Sequence, residues 1–347
     1  MKPLPTGIRW GLCCQFLDHD IRFRTATHRY VSGLAPDERR RYLADIVRAN
    51  AGALRAAVEA CHAMGIGAFR MNSQIAPLAT HPQSGYTLAD LDAVDLRGAD
   101  APDGDDAPLP SLADAFRAAG ARARELGIRL SFHPDQFVVI NSEREDVVRS
   151  SVQELEMQAG IARLVGADVI CLHAGGAAGG VPAAIERLER GIDLLSGDAR
   201  PLLAIENDDR SFAPRDLAPM CARTGVPMIY DAHHHRCHGD GLSVDEATAL
   251  AVETWGAREP YFHLSSPRDG WDARNPRPHG DYVDPADFPD AWRTLRATVD
   301  IEAKDKERAV LKLMRDLGVE QPGLGTRDSG QDVEGRCRED ASSPVEL

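Results

Sequence analysis

The chain repeats one pattern of hydrophobic and polar positions. Each repeat begins with a short apolar run, becomes polar where that run ends, and continues with the apolar period of an amphipathic helix. The apolar runs predict strands at Ile8–Cys14, Ala68–Ser73, Arg129–Pro134, Val169–Gly175, Leu202–Asp208, Pro227–Asp231, Tyr261–Ser265 and Thr298–Ala303. The amphipathic stretches predict helices over residues 37–64, 112–126, 146–165, 182–195, 214–224, 243–255, 288–297 and 306–317.

Strands that alternate with helices in this way predict a (β/α)8 TIM barrel that forms a single domain. Glycine follows several of the helical stretches, as it does in helix C-caps, at Gly65, Gly127, Gly166 and Gly225. An open doubly wound sheet is the alternative arrangement of the same elements. No Gly-x-Gly-x-x-Gly follows the first strand. This argues against a dinucleotide fold, and we expect no nucleotide cofactor.

Two segments depart from the repeat. Residues 82–110 are rich in Asp, Pro and Gly, and we predict that they form a long acidic loop inserted into the barrel. Residues 319–347 show no apolar period and are predicted to be a disordered tail. The predicted catalytic barrel therefore occupies residues 1–318.

Composition narrows the class of protein. A net charge of −14 argues against a generic nucleic-acid coat, although the acidic residues concentrate in 89–108 and 317–347 and leave room for an Arg-lined groove. The seven cysteines are odd in number and form no Cys-x-x-Cys pair, which indicates reduced thiols. The chain has no apolar run long enough to cross a membrane and no apolar signal-peptide core. We expect a cytoplasmic monomer without a membrane partner.

The ends of the strands carry the chemistry. The run Met228–Tyr230 ends in Asp231, and three histidines follow at 233, 234 and 235. A solvent-exposed His-rich loop would explain that stretch alone. The other strand ends and the following loops carry further groups of the same kind, at His133, His173, Glu206, His263, His279 and Glu302. Because the carboxyl ends of barrel strands meet at one face, we expect these side chains to converge.

Converging imidazoles and carboxylates are costly to bury without a partner, and a divalent cation binds both. Their number exceeds what one ion needs and suits two or three closely spaced ions. The mixed set favours Mn²⁺ or Zn²⁺ over Mg²⁺ or Ca²⁺. Such a cluster suits phosphodiester hydrolysis, with Glu206 and Glu302 as the expected bridging ligands. Sugar isomerisation or epimerisation on a two-metal barrel is the competing chemistry.

Taken in order, the motifs resemble the UV damage endonucleases. The resemblance rests on SFHPDQF, LHAGG, IENDD, YDAHHH, HLSSP with HGDYVD, and VDIEAKDKE, and it runs from about residue 8 to 314. It implies a TIM barrel related to endonuclease IV with up to three metal ions, usually Mn²⁺, with Zn²⁺ or Co²⁺ as alternatives. It also implies DNA repair by nicking double-stranded damaged DNA immediately 5′ to UV photoproducts and some abasic sites, leaving a 3′-hydroxyl and a 5′-phosphate.

The resemblance also implies roles for individual residues. The matching metal ligands are His133, His173, Glu206, Asp231, His234, His263, His279 and Glu302. Glu206, Glu302 and His81 match catalytic positions. Gln136 and Phe137 stand where the family inserts a Gln-Tyr pair into the duplex to probe damage, and we expect Gln15 and Asn72 to contact substrate as well.

Three positions depart from the family pattern. Tyr261 stands where the family usually has a Lys that becomes carboxylated near the metals, and Tyr cannot form a carbamate. Leu12 replaces a family Tyr, and Phe16 lies near the position of a family Asn. The acidic loop is the third departure. We therefore expect altered lesion preference or metal occupancy, and a non-catalytic binder of damaged DNA is a further alternative.

Overall fold

Eight parallel strands close into a barrel. The computed structural model describes residues 2–93 and 110–319. Each strand pairs with its neighbours in chain order, and β8 returns to β1, which confirms the predicted (β/α)8 TIM barrel. The strands are β1 (Ile8–Cys13), β2 (Ala68–Asn72), β3 (Arg129–His133), β4 (Val169–His173), β5 (Leu203–Glu206), β6 (Met228–Asp231), β7 (Tyr261–Leu264) and β8 (Ala297–Ile301).

Helices connect the strands and cover the outside of the barrel. They are α1 (His28–Val31), α2 (Pro36–Ala63), α3 (Leu88–Asp92), α4 (Leu112–Glu125), α5 (Glu145–Val165), α6 (Val181–Asp193), α7 (Pro214–Thr224), α8 (Ala232–Cys237), α9 (Val244–Trp255) and α10 (Lys306–Asp316). Local sequence sets several boundaries: Pro36 begins α2 where its missing N–H costs nothing, and Gly166 ends α5 at φ 75°. Within the ranges that the structure describes, no helix is long and apolar enough to cross a membrane.

One predicted helix is wrong. Residues 288–297 do not form an α-helix; the segment contains a 3-10 helix at Asp290–Thr294 and then enters β8. Pro289 stands just before that short helix and restricts the backbone. Trp292 is fully buried and stacks on Phe262, with ring centroids 4.7 Å apart, so packing against the barrel determines the conformation of this connection.

The two segments outside the repeat are described only in part. The beginning of the predicted acidic loop contains α3, whose first turn has a capping box between Thr87 and Asp90, so it is not entirely irregular. Residues 94–109 lie outside the described residues. The predicted tail, apart from Val319, lies outside them as well.

The strand register places functional side chains at one level. His173 on β4 pairs with Glu206 on β5, and Asp231 on β6 pairs with His263 on β7. Because side chains alternate across a strand, the residue two positions earlier faces the same side of the sheet. Cys171 and Tyr261 therefore lie one layer below His173 and His263, and they pack together with Ala204 and Ile229 inside the barrel.

Candidate metal centre

Glu206 lies at the centre of the cluster at the C-terminal ends of the strands. Its side chain is fully buried, and four imidazoles surround its carboxylate. Oε1 lies 2.9 Å from Nδ1 of His263 and 3.4 Å from Nδ1 of His234. Oε2 lies 3.3 Å from Nε2 of His133 and 3.7 Å from Nδ1 of His173. One carboxylate thus reaches ligands from four other strand ends.

Glu302 lies close to two predicted ligands, His263 and His279. Its Oε1 lies 3.5 Å from His263 Nδ1, and its Oε2 lies 3.6 Å from His279 Nδ1. Arg70, on β2, donates a hydrogen bond to Glu302 from Nη1. The two carboxylates therefore share His263, as expected if both face a common group of ions.

The short helix α8 separates the three consecutive histidines. Asp231 begins this helix, and its Oδ1 accepts a 2.7 Å hydrogen bond from the His234 backbone N–H. Only the His234 side chain turns toward Glu206. His235 contacts Tyr230 and Asp240, and Nε2 of His233 lies 3.1 Å from the Arg277 carbonyl. His233 and His235 are buried, so the alternative of an exposed His-rich loop is wrong.

The donor set fits divalent ions. Four groups of three side chains have ligand atoms within 4.8 Å of one another, and together they contain seven of the eight predicted ligands; the eighth, His279, approaches Glu302. Asp231 Oδ2 and His173 Nδ1 are buried and have no hydrogen-bond partner in the described parts of the chain. Buried polar atoms without partners are unfavourable unless something else binds them. A divalent cation would satisfy both atoms.

Several pKa values respond to this crowding. Burial alone would raise the pKa of Glu206, but the neighbouring His173 and His263 hold it well below its usual range. Burial alone would lower the pKa of His263, but Glu206 and Glu302 raise it to about 9. The His173 pKa is lowered by burial. In the metal-free protein, protons on histidine therefore balance part of the buried negative charge.

Three buried groups just below the ligands had no assigned role in the sequence prediction: Arg70, Cys171 and Asp300. Asp300 lies two residues before Glu302, and its Oδ2 is 3.6 Å from Arg70 Nε and 3.8 Å from His263 Nε2. Cys171 lies two residues before His173, with Sγ 3.0 Å from Glu206 Oε2. Period-2 alternation could have identified all three, because each lies on the inward face of a predicted strand.

Comparisons with known proteins identify the family of the chain. A family model described as UV-endonuclease UvdE matches residues 8–323. The chain belongs to the UvdE family. It is 34% identical over 315 residues to the UV DNA damage endonuclease of Deinococcus radiodurans, covering 87% of this chain and 93% of that protein.

Solved structures give the same relationship for the fold. The structure of SacUVDE superimposes with a TM-score of 0.75 at 27% identity, covering 89% of this chain and 98% of that one. Endonuclease IV from Thermus thermophilus superimposes with a TM-score of 0.54 at 17% identity, covering 89% and 97%. The second likeness concerns the fold alone.

The predicted substrate contacts and His81 lie at or after the C-terminal ends of strands β1, β2 and β3. Gln136 and Phe137 lie in the loop after β3, and Phe137 is 77% exposed although it is a large apolar side chain. Gln15 is exposed after β1. Asn72 accepts a hydrogen bond from the Gln74 backbone N–H. His81 stacks on His28, with ring centroids 4.2 Å apart.

The three side chains predicted to depart from the family pattern, Tyr261, Leu12 and Phe16, are buried in this chain. The Tyr261 hydroxyl donates a 2.9 Å hydrogen bond to Asp300 Oδ1 and lies 2.8 Å from Ser131 Oγ. Burial and Asp300 raise the pKa of Tyr261 well above its usual value, so the phenol is neutral. Leu12 and Phe16 are both buried in the hydrophobic core. Neither side chain is available to contact DNA.

Proposed function

We propose that this protein is a DNA repair endonuclease that uses divalent metal ions to hydrolyse a phosphodiester bond 5′ to UV photoproducts. The observation that carries the proposal is the Glu206-centred cluster at the strand ends of a UvdE-family barrel. Relatives in that family are UV DNA damage endonucleases. The proposed substrate is double-stranded damaged DNA, and abasic sites are a second proposed lesion.

Eight residues would hold the ions: His133, His173, Glu206, Asp231, His234, His263, His279 and Glu302. When bound, the ions supply a water of lowered pKa and neutralise charge on the attacking and leaving oxygens. The proposed native metal is Mn²⁺, with up to three ions, because the donor set combines imidazole with carboxylate ligands. Glu206 and Glu302 are the proposed bridging carboxylates.

Neighbouring residues orient the proposed metal ligands or keep them ionised. His133 Nδ1 lies 2.9 Å from the Pro134 carbonyl, which leaves Nε2 facing Glu206 and available to an ion. Asn207 holds Asp231 on both sides, accepting from its N–H at 2.9 Å and donating to its carbonyl at 3.0 Å. Burial alone would raise the pKa of Glu302, but the Arg70 guanidinium holds it well below its usual range, so this carboxyl stays ionised.

Gln136 and Phe137 are the proposed damage probe. An apolar ring that is mostly exposed to water gains free energy when it enters a base stack, and inserting it costs least where damage has already weakened the stacking. Gln15 and Asn72 would contact the substrate nearby. His81 is a proposed catalytic residue that would approach the substrate from the loop after β2. The protein would act as a monomer.

Nicking of supercoiled plasmid tests the proposal. We expect nicking of UV-irradiated plasmid with Mn²⁺, little nicking of untreated plasmid, and none with EDTA. Phe137→Ala should reduce the preference for irradiated plasmid, whereas Leu194→Ala, which removes another exposed apolar side chain, should not. Binding of irradiated DNA without nicking under any metal would contradict the proposed activity and favour a non-catalytic damage binder. Equal nicking of both plasmids would contradict the damage probe.

A further inference from the structure

We propose that Cys171 is an additional ligand of the metal centre. Its thiolate, with Glu206 and His263, would bind one ion at the inner side of the cluster and make that position select thiophilic cations such as Zn²⁺, Co²⁺ or Cd²⁺ over Mn²⁺. The inference rests on the metal centre proposed above and adds a ligand to it. Sulfur, imidazole and carboxylate together are ligands typical of Zn²⁺.

The distances allow these three side chains to share an ion. The ligand atoms of Cys171, Glu206 and His263 all lie within 4.8 Å of one another, and all three residues are buried. Zn–S and Zn–N bonds of about 2.3 and 2.1 Å place donors on one tetrahedral ion roughly 3.5 Å apart. Sγ of Cys171 lies 3.0 Å from Glu206 Oε2, and Glu206 Oε1 lies 2.9 Å from His263 Nδ1. Only small side-chain movements would be needed to admit the ion.

The environment of His263 also points to an ion on the Cys171 side. Its Nε2 lies 3.4 Å from Arg70 Nη1 and 3.8 Å from the buried Asp300 Oδ2, while its Nδ1 lies 2.9 Å from Glu206 Oε1. The guanidinium and the two carboxylates hold the ring between them. This arrangement presents Nδ1 to the space that Cys171 and Glu206 border.

A second buried donor lies beside two of these side chains. Asp231 is fully buried, and its Oδ2 has no hydrogen-bond partner among the residues of the described ranges. Asp231 forms one candidate ligand group with Glu206 and another with His263, the two side chains that Cys171 also approaches. Glu206 and His263 therefore have unused donor capacity around them on more than one side.

Hydrophobic packing alone is the simpler explanation of Cys171, because its side chain contacts Ala204, Ile229 and Tyr261. A wholly apolar side chain would serve that packing without placing a polarizable sulfur against a buried carboxylate. Cys61 and Cys221 are buried too, but they lie on the helices α2 and α7, away from the strand-end cluster. On coordination, the S–metal bond replaces the S–H bond, and the proton is released to solvent.

Cobalt absorption tests the inference on the full-length protein. The metal-free protein is loaded with Co²⁺, because a thiolate–Co²⁺ bond gives a strong charge-transfer band in the near ultraviolet, which nitrogen and oxygen ligands do not. We expect this band in the wild type and in Cys221→Ser. We expect it to be absent from Cys171→Ser, with Co²⁺ still bound. Cd²⁺ affinity should fall at least about tenfold in Cys171→Ser, while Mn²⁺ affinity changes less than about threefold.

Several results would overturn the inference. Bound Co²⁺ without the band in the wild type, a band that survives Cys171→Ser, or equal loss of Cd²⁺ and Mn²⁺ affinity would each do so. If Cys171→Ser does not fold, X-ray absorption of the Co²⁺-loaded wild type decides instead, with a sulfur neighbour at about 2.3 Å expected and only nitrogen and oxygen neighbours contradicting it. Failure to bind Co²⁺ at all would overturn the metal dependence of the proposed function as well.

Discussion

The two ends of the barrel use similar charged residues in opposite ways. At the N-terminal end of the strands, opposite charges pair: Arg9 Nε lies 2.9 Å from Glu259 Oε1, and Arg129 Nη2 lies 2.9 Å from Asp168 Oδ2. Thr298 adds a 2.7 Å hydrogen bond to Glu259. At the C-terminal end, carboxylates meet histidines, and buried atoms of Asp231 and His173 have no partner in the part of the chain that the structure describes.

The difference indicates that the N-terminal end of the barrel contributes to stability and that the C-terminal end is suited to bind a ligand. A partly buried charge beside an opposite charge is matched within the protein, whereas a cluster with unpaired donors would gain most from a bound cation. The charges at the N-terminal end of the barrel therefore need no ligand, and a cation would satisfy the unpaired donors at the C-terminal end. In TIM-barrel enzymes, residues at the N-terminal face typically stabilise the fold, and residues at the C-terminal face typically form the active site.

The largest expected effect is a loss of nicking activity on substitution at the C-terminal end but not at the N-terminal end. Glu206→Gln should lower nicking of irradiated plasmid at least about a hundredfold, because the central carboxylate of the cluster loses its charge. Glu259→Gln should lower the free energy of unfolding by about 1–3 kcal/mol, because Arg9 loses its charged partner. Its nicking rate per folded molecule should stay unchanged. Plasmid nicking and urea unfolding are measured for both variants. A similar loss of activity in the two would contradict the proposed division between the two ends of the barrel.

Metal removal should act on the C-terminal end alone. Mn²⁺ at about 100–1,000 times its dissociation constant should stabilise the wild type by about 3–4 kcal/mol, because the ion binds the folded cluster and not the unfolded chain. Thermal unfolding with Mn²⁺ and with EDTA measures this. The same stabilisation should remain in Glu259→Gln and largely disappear in Glu206→Gln. Equal stabilisation of all three proteins would show that Mn²⁺ binds elsewhere.

The metal-free protein should lose stability as the pH rises. The pKa of His263 is raised to about 9 in the folded state, above its value of about 6.5 in an unfolded chain. Its contribution is therefore fully present below pH about 6.5 and is lost as the pH rises through about 9, with a loss on the order of 3 kcal/mol. Urea unfolding with EDTA at several pH values checks this. His263→Gln should reduce the dependence without abolishing it, because Asp231 and Glu206 raise the pKa of His234 as well. An unchanged slope in that variant would refute the assignment.

The smallest expected effect concerns the layer between the two ends. Tyr261→Phe removes the hydrogen bond to Asp300 and should destabilise the protein by about 1–2 kcal/mol, because a buried carboxylate loses a donor. The matched control is Tyr42→Phe, which removes a hydroxyl from a partly buried tyrosine of α2. Urea unfolding measures both variants. A Tyr261→Phe protein as stable as the control variant would show that the hydroxyl is not needed to hold Asp300.

The convergence of the strand-end side chains could be predicted from the sequence for a physical reason. A buried strand is an apolar run in the sequence, so polar residues at its end are easily recognised, as at His133, His173 and Glu206. The C-terminal ends of barrel strands meet at one face, so these side chains were expected to lie close together. The structure brings both histidines within 4 Å of Glu206. Asp300 and Cys171 were missed because they lie inside the strands, where both faces are buried and the apolar pattern shows no alternation. Counting back two positions from Glu302 and His173 would have shown that they face the same side of the sheet.

Other features depended on tertiary packing that no local pattern expresses. Residues 288–297 have a helical apolar period, but Pro289 and the stacking of Trp292 on Phe262 produce a 3-10 helix instead. The residue pattern alone could not distinguish His234 from its two neighbours, and only the family resemblance selected it. In the structure, the turn of α8 decides that His234 faces Glu206. The need for glycine at position 11 also depends on tertiary packing, because a Cβ there would lie 2.0 Å from Asp300 Oδ1.

Anomalous scattering from crystals grown with Mn²⁺ tests the central comparison most directly. We expect peaks at the C-terminal end of the barrel, between Glu206 and the imidazoles and beside Glu302. We expect no peak at the N-terminal end beside Glu259 or Asp168, because Arg9 and Arg129 already neutralise those carboxylates. Crystals with no peak at Glu206, or with equal peaks at both ends, would contradict a metal centre confined to the C-terminal end.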